Sequence, residues 1–197
     1  MLLRTGKTFA QVCDAAELSD EALALRAPGQ APRAYVDALI AAESYADAVR
    51  LLAHALPRRE AVWWAWVCAK RAAGDTPPPA IGTLLEATRV WIAEPTDAHR
   101  RSVFAQAEAV GFDTPAGSAG LAAFFSGNSL APPDRDPVPP GEFMAAKAIT
   151  GSVVLAAVLT EPERAAERFR EYLEQGLLVA EKTELWTPPP TAARSGR

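Results

Sequence analysis

Leu56 to Gly74 reads LPRREAVWWAWVCAKRAAG, and how this stretch is read decides the fold. Three of the chain's five tryptophans, Trp63, Trp64 and Trp66, fall within four positions of it. No glycine or proline interrupts the run between Arg58 and Ala73, so it is expected to be one helix. On a helix Trp63 and Trp66 lie about 60° apart, Trp64 stands on an adjoining flank, and Ala61, Ala65, Cys68 and Ala69 form a strip of small side chains. A helix apolar nearly all round takes neighbours on several sides, which places this one at the centre of a helical protein. The expected roles are Trp63 and Trp66 in the core, with Trp64 available as an apolar anchor for a partner.

The first turn of the same helix carries Arg58 and Arg59, two cations at the end where the macrodipole is positive. Their charge needs compensation. Either a carboxylate of the preceding segment, such as Glu43 or Asp47, supplies it, or an acidic group of a partner does.

Working outward, breaker residues recur at the rhythm of short helices joined by tight turns, and no run has the alternation of a strand. Upstream, a helix is expected from Thr8 to Glu17, a short one after the cap Ser19, one starting at Pro32, and one over YADAVRLLAHAL capped by Ser44. Downstream, TPPPA leads into IGTLLEATRVWIAE, Thr96 or Asp97 caps DAHRRSVFAQAEAV, Thr114 and Pro115 open PAGSAGLAAFF, and FMAAKAITGSVVLAAVL and EPERAAERFREYLEQG complete the set. Gly176 is read as the stop of the last. The fold class is all-α: a single domain of eight to nine helices packed as hairpins. It is irregular, because YADAVRLLAHALP resembles the second half of a tetratricopeptide unit but has no second copy one period away.

Between Ser126 and Glu142 the segment SGNSLAPPDRDPVPPGE holds five prolines and cannot be helix. It is expected to act as a belt that packs against the last two helices and presents Ser129, Leu130 and Arg135 to a partner. The helical domain spans 1–180 with the belt at 126–142, and the proline-rich, then polar tail at 187–197 is expected to be disordered.

Composition bounds the function classes. Formal charge is −4 and the charges are scattered, so no basic stripe offers itself to nucleic acid. The opening MLLRTGKTFAQVCDAAEL has no apolar core of a signal peptide, and AITGSVVLAAVLT is too short to span a bilayer. Cys13 and Cys68 read as buried thiols of a reducing compartment, and the expected location is the cytoplasm without membrane insertion.

Motifs of chemistry are absent or incomplete. TGKT at Thr5 to Thr8 lacks the upstream glycine and strand of a phosphate loop. His54 and His99 have no second histidine or cysteine at ligand spacing, so neither metal nor cofactor is expected. Ser126 in FFSGNSLAPP lacks the small-residue elbow of a nucleophile. No catalytic residue is assigned.

Taken together, YADAVRLLAHALPRREAVWWAWVCA and GFDTPAGSAGLAAFFSGNSLAPPDRDPVPPGEFMAAKAITGSVVLAA make the chain resemble an uncharacterised bacterial all-helical family known as a domain of unknown function, over about Arg33 to Gly176. Its members are often encoded near type VI secretion genes, so the resemblance implies a secretion accessory or effector adaptor. The functional expectation is a non-enzymatic, protein-binding adaptor or chaperone-like protein whose partner is a secretion component or effector. Its contact residues would be Arg58, Arg59, Trp64, Ser129, Leu130 and Arg135. The alternatives are an immunity-type inhibitor of a toxin and a small hydrolase built on His54, His99 or Ser126.

Overall fold

The computed structural model describes residues 3–186, and among these the chain is all-α. The tail at 187–197, expected to be disordered, lies outside the described residues. Ten α-helices follow one another: α1 Phe9–Ala15, α2 Asp20–Ala24, α3 Pro32–Ala41, α4 Tyr45–Ala55, α5 Arg58–Ala73, α6 Pro79–Ala93, α7 Asp97–Val110, α8 Pro115–Phe125, α9 Met144–Val158 and α10 Ala165–Lys182. A 3₁₀ turn, Pro162–Arg164, precedes the last. The count exceeds the eight to nine expected, and the two shortest, α1 and α2, are a single turn or two each.

Local chemistry sets most of the boundaries. Thr8 accepts from the Gln11 amide while the Gln11 side chain accepts from the Thr8 amide, a reciprocal capping box that starts α1. Ser19, Thr96 and Thr114 cap α2, α7 and α8 through their hydroxyls. Prolines occupy the first turn of α3, α6 and α8, where a missing N–H costs nothing. Ser44 departs from expectation: its side chain makes no cap bond, and the turn is instead made by Glu43 in the left-handed region, φ 59°.

Sequential helices pack as hairpins, α3 on α4, α5 on α6, α6 on α7, α7 on α8 and α8 on α9. The centre is α5, which touches α6, α8, α9 and α10. The core is continuous from Leu3 to Leu185, and the part contributed by α8 and α9 is made mostly of small side chains, such as Ala119, Ala122, Ala123, Ala156 and Ala157. Alanine faces let helix backbones approach closely. Two buried serines join these faces, Ser118 donating to the Ala148 carbonyl at 2.9 Å and Ser152 to the Pro115 carbonyl at 2.8 Å.

The tryptophan helix is rotated from the expected register. Trp64 is fully buried, and Trp63 and Trp66 are half-buried at the edge. The reason lies in spacing: Trp64 is three residues from Ala61 and four from Cys68, so it shares the face of the small-residue strip against which the neighbours pack. Its indole N–H donates to the Tyr172 carbonyl at 2.7 Å. Trp66 donates to the Leu85 carbonyl at 2.8 Å, and the Lys70 ammonium lies over its ring.

Gly176 marks where α10 crosses that ring. It does not stop the helix, which continues to Lys182; a Cβ there would lie 2.8 Å from Trp64 Cε2 and 3.2 Å from Leu52 Cδ1. A glycine inside a helix costs about 0.5–1 kcal/mol in backbone entropy, and here it permits the close crossing. Gly176→Ala is expected to destabilise the protein by about 1–3 kcal/mol, read from urea unfolding. The same change in a Trp64→Leu background should cost far less, since the ring it strikes is gone.

No single helix among the described residues is long and apolar enough to cross a membrane.

Candidate functional site

The proline belt leaves the end of α8 and is held by α7. Arg100, only 2% exposed, extends from the first turn of α7 beneath it. The Arg100 guanidinium donates to the Phe124 carbonyl at 2.7 Å, to the Ser129 carbonyl at 2.8 Å, and to the Asp97 carboxylate. Its plane lies over the Phe124 ring, 4.7 Å from the centroid. Arg101 donates to the Ala131 carbonyl at 2.6 Å and, through Nε, to Asp97 at 2.6 Å. Gly127 passes so near that a Cβ would lie 2.3 Å from Arg100 Nε, so the glycine is required by the guanidinium beneath it.

Above this clamp the belt closes on itself. The Ser129 hydroxyl accepts from the amides of Ala131 and Val138, each at 3.1 Å, and the Leu130 amide donates to the Val138 carbonyl at 2.7 Å. The ends of the loop are thereby fastened together, the arrangement of an Ω-loop. Its tip, Pro132 to Pro137, is exposed, and the Arg135 amide donates to the Pro132 carbonyl at 3.1 Å to make a turn. The belt was expected against the last two helices; the hydrogen bonds at its base come from Arg100 and Arg101 of α7, while at its far end Gly141 and Met144 of α9 bond to each other.

The residues singled out in the sequence fall into separate places. Arg135 is exposed at the loop tip, 3.9 Å from the Asp134 carboxylate. Ser129 and Leu130 are half-buried at the loop base, where the Ser129 hydroxyl and the Leu130 amide close the loop. Trp64 is sealed inside the core, so it cannot anchor a partner. Arg59 is exposed and donates to the carbonyls of Ile92 and Ala93 at 2.7 and 3.2 Å, capping the negative end of α6. The carboxylates suggested for it are used elsewhere: Asp47 accepts from the amide and hydroxyl of Ser19 and from Arg50, and Glu43 from Arg170. Arg58 is exposed at the start of α5.

The residues a hydrolase was expected to use each bond to a nearby backbone carbonyl. The Ser126 hydroxyl donates to the Ala122 carbonyl at the end of α8, His99 is half-buried with Nδ1 against the Glu94 carbonyl, and His54 is buried on α4. Among the described residues no three histidine, cysteine or carboxylate side chains gather as a metal site.

Arg100 and Arg101 were not foreseen as site residues. The available signal was Asp97 three and four positions before two arginines, which reads equally as a surface ion pair. Their hydrogen bonds to Asp97, Arg100 first, hold that carboxyl below its ordinary range. A depressed folded value stabilises the protein above the unfolded value, about 3.9, and is lost as pH falls through the folded one. Asp97→Asn should therefore lower Tm at pH 7 and converge on the wild type below about pH 3.9, seen by thermal melts across that range.

These features define an all-α protein of irregularly packed hairpins carrying one clamped proline loop. Residues 35–180 match the profile of DUF6931, a family of unknown function, and the chain belongs to that family. No curated protein and no solved structure shows a detectable match to it.

Proposed function

We propose that the chain is a non-enzymatic protein-binding module, an adaptor or chaperone-like protein that presents the belt tip to another protein. The observation that carries this is the clamp: a buried arginine and a closed loop base hold Pro132 to Pro137 exposed in a fixed turn. A loop ordered before binding loses less entropy on association, and proline lowers that loss further. Arg135 and the flanking Asp134 and Asp136 supply the polar part of the contact, and Pro133 and Pro137 the apolar part. The partner's placement in a type VI secretion system is what the family resemblance implies, and cytoplasmic location accompanies it.

The test is affinity purification of the tagged chain from its native host, in parallel with a variant whose Asp134-Arg135-Asp136 is replaced by Gly-Ser-Gly and whose Tm is unchanged. A near-stoichiometric partner bound by the first and lost from the second is the expected result. A secretion component or effector would make the chain an accessory, and a toxin would make it an immunity-type inhibitor. Identical recovery from both chains would overturn the loop as the contact.

A further inference from the structure

The last turn of α5, the first turns of α6 and α8 and the end of α9 enclose a cavity of about 110 Å³, lined by Ala72, Ala73, Ile81, Pro115 and Leu159 among others. It exists because α5 ends in two alanines, side chains too short to fill the space among four helix ends. The lining side chains are apolar apart from Thr114 and Thr160, and the Thr114 hydroxyl is already engaged, accepting from the Gly117 amide and donating to the Gly111 carbonyl. A water inside would lack the polar partners it needs, so the cavity suits an apolar group. Leu159 is 56% exposed, more than any other large apolar side chain among the described residues, and an occupant would cover it.

Carboxylates follow or precede the lining residues along three stretches of chain. Asp75 stands just past Ala73, Asp113 directly before Thr114, and Glu163 in the 3₁₀ turn that follows Thr160. All three are exposed, and among the described residues none has a cation within ion-pair distance. The cations of the same stretches are engaged: Arg71 with Glu171 at 3.4 Å, Arg164 with Glu167 at 3.0 Å and with Glu161 at 3.6 Å, and Lys70 over the Trp66 ring. Uncompensated negative charge thus borders an apolar hollow.

We propose that this cavity docks a partner protein through one leucine- or methionine-sized side chain flanked by lysine or arginine. An apolar cavity of about 150 Å³ admits benzene, so 110 Å³ holds about four heavy atoms, which fits leucine or methionine and excludes an aromatic ring or a fatty acyl chain. The apolar side chain supplies the anchor and the flanking cations meet Asp75 and Asp113, whereas an acidic flank would meet like charge. The site is separate from the belt. It lies at the start of α8 and the belt leaves the end of that helix, whose 11 residues span about 16 Å, so two proteins can be held at once, as an adaptor requires. The docking cavity stands whether or not the belt tip is a contact.

The test titrates the isotope-labelled full chain with blocked pentapeptides, Ala-Arg-Leu-Arg-Ala, Ala-Arg-Ala-Arg-Ala and Ala-Glu-Leu-Glu-Ala, and follows amide NMR signals. The first peptide is expected to shift Ala72, Ala73, Ile81 and Leu159 with a millimolar Kd. The alanine peptide should bind at least about tenfold more weakly, and the acidic one at least about fivefold more weakly, a gap that closes as salt rises from about 0.05 to 0.5 M. Ala73→Leu fills the hollow from its edge and should abolish the shifts without lowering Tm. Asp75→Asn combined with Asp113→Asn changes exposed, unpaired groups; Tm should hold while the basic peptide loses about three- to tenfold in affinity. Equal binding of the leucine and alanine peptides would leave only a sticky acidic surface, and equal binding of the basic and acidic peptides would remove the charge selection; either overturns the proposal. So would binding that survives Ala73→Leu, or no shift at about 10 mM of the first peptide. A lower Tm for Ala73→Leu would contradict the size assigned to the cavity.

Discussion

Trp64→Ala is expected to cost about 3–5 kcal/mol, a fall of about 6–20 °C in Tm for a chain of this size, and so to be among the most damaging single substitutions. The side chain is fully buried and its neighbours cannot collapse into the space. On one side α10 already lies at its closest approach through Gly176, and on the other Ala61, Ala65 and Cys68 have nothing to extend. The indole hydrogen bond to the Tyr172 carbonyl is lost with the ring, which loosens α10 as well as the core. Trp66→Ala removes a half-buried ring whose far side already meets solvent, and the expected cost is roughly half as large. Urea unfolding of the two variants side by side therefore reads the register of α5. Equal losses, or a larger loss at Trp66, would contradict the rotation described above.

That rotation shows where the sequence stops being informative. Helix starts were legible because they depend on neighbours along the chain: a hydroxyl three residues before an amide at Thr96 and Thr114, or a proline in the first turn of α3. The facing of α5 was not, because a helix apolar nearly all round has no polar side to exclude, and either pair of tryptophans could have faced inward. Gly176 failed as a signal for a related reason. A glycine near the end of a periodic run reads as a stop, and only the presence of Trp64 opposite turns it into a crossing point. For the belt, five prolines announced a non-helical strip, but the groups that hold it are backbone carbonyls of Phe124, Ser129 and Ala131. Carbonyls have no residue identity, so their long-range partners leave no trace in the sequence.

Arg100→Met should separate the clamp from the fold. Methionine keeps much of the apolar stem over Phe124 but removes every donor, leaving the Phe124 and Ser129 carbonyls without the guanidinium. Asp97 is not stranded, since it is half-exposed and still accepts from Arg101. The expected loss is about 2–4 kcal/mol, concentrated in the belt rather than spread through the core. Amide exchange distinguishes these. The Leu130 and Val138 amides close the loop base, and their exchange should accelerate by about thirtyfold, the factor that about 2 kcal/mol represents. Core amides such as those of α5 should change much less. If the loop is the contact, partner affinity should fall by a comparable factor, because the bound turn must then be ordered at the moment of binding. Uniform acceleration across the chain would make Arg100 a support of the whole core. Unchanged exchange at Leu130 and Val138 would show that Ser129 closes the loop unaided, and the clamp would no longer explain why the tip is held in place.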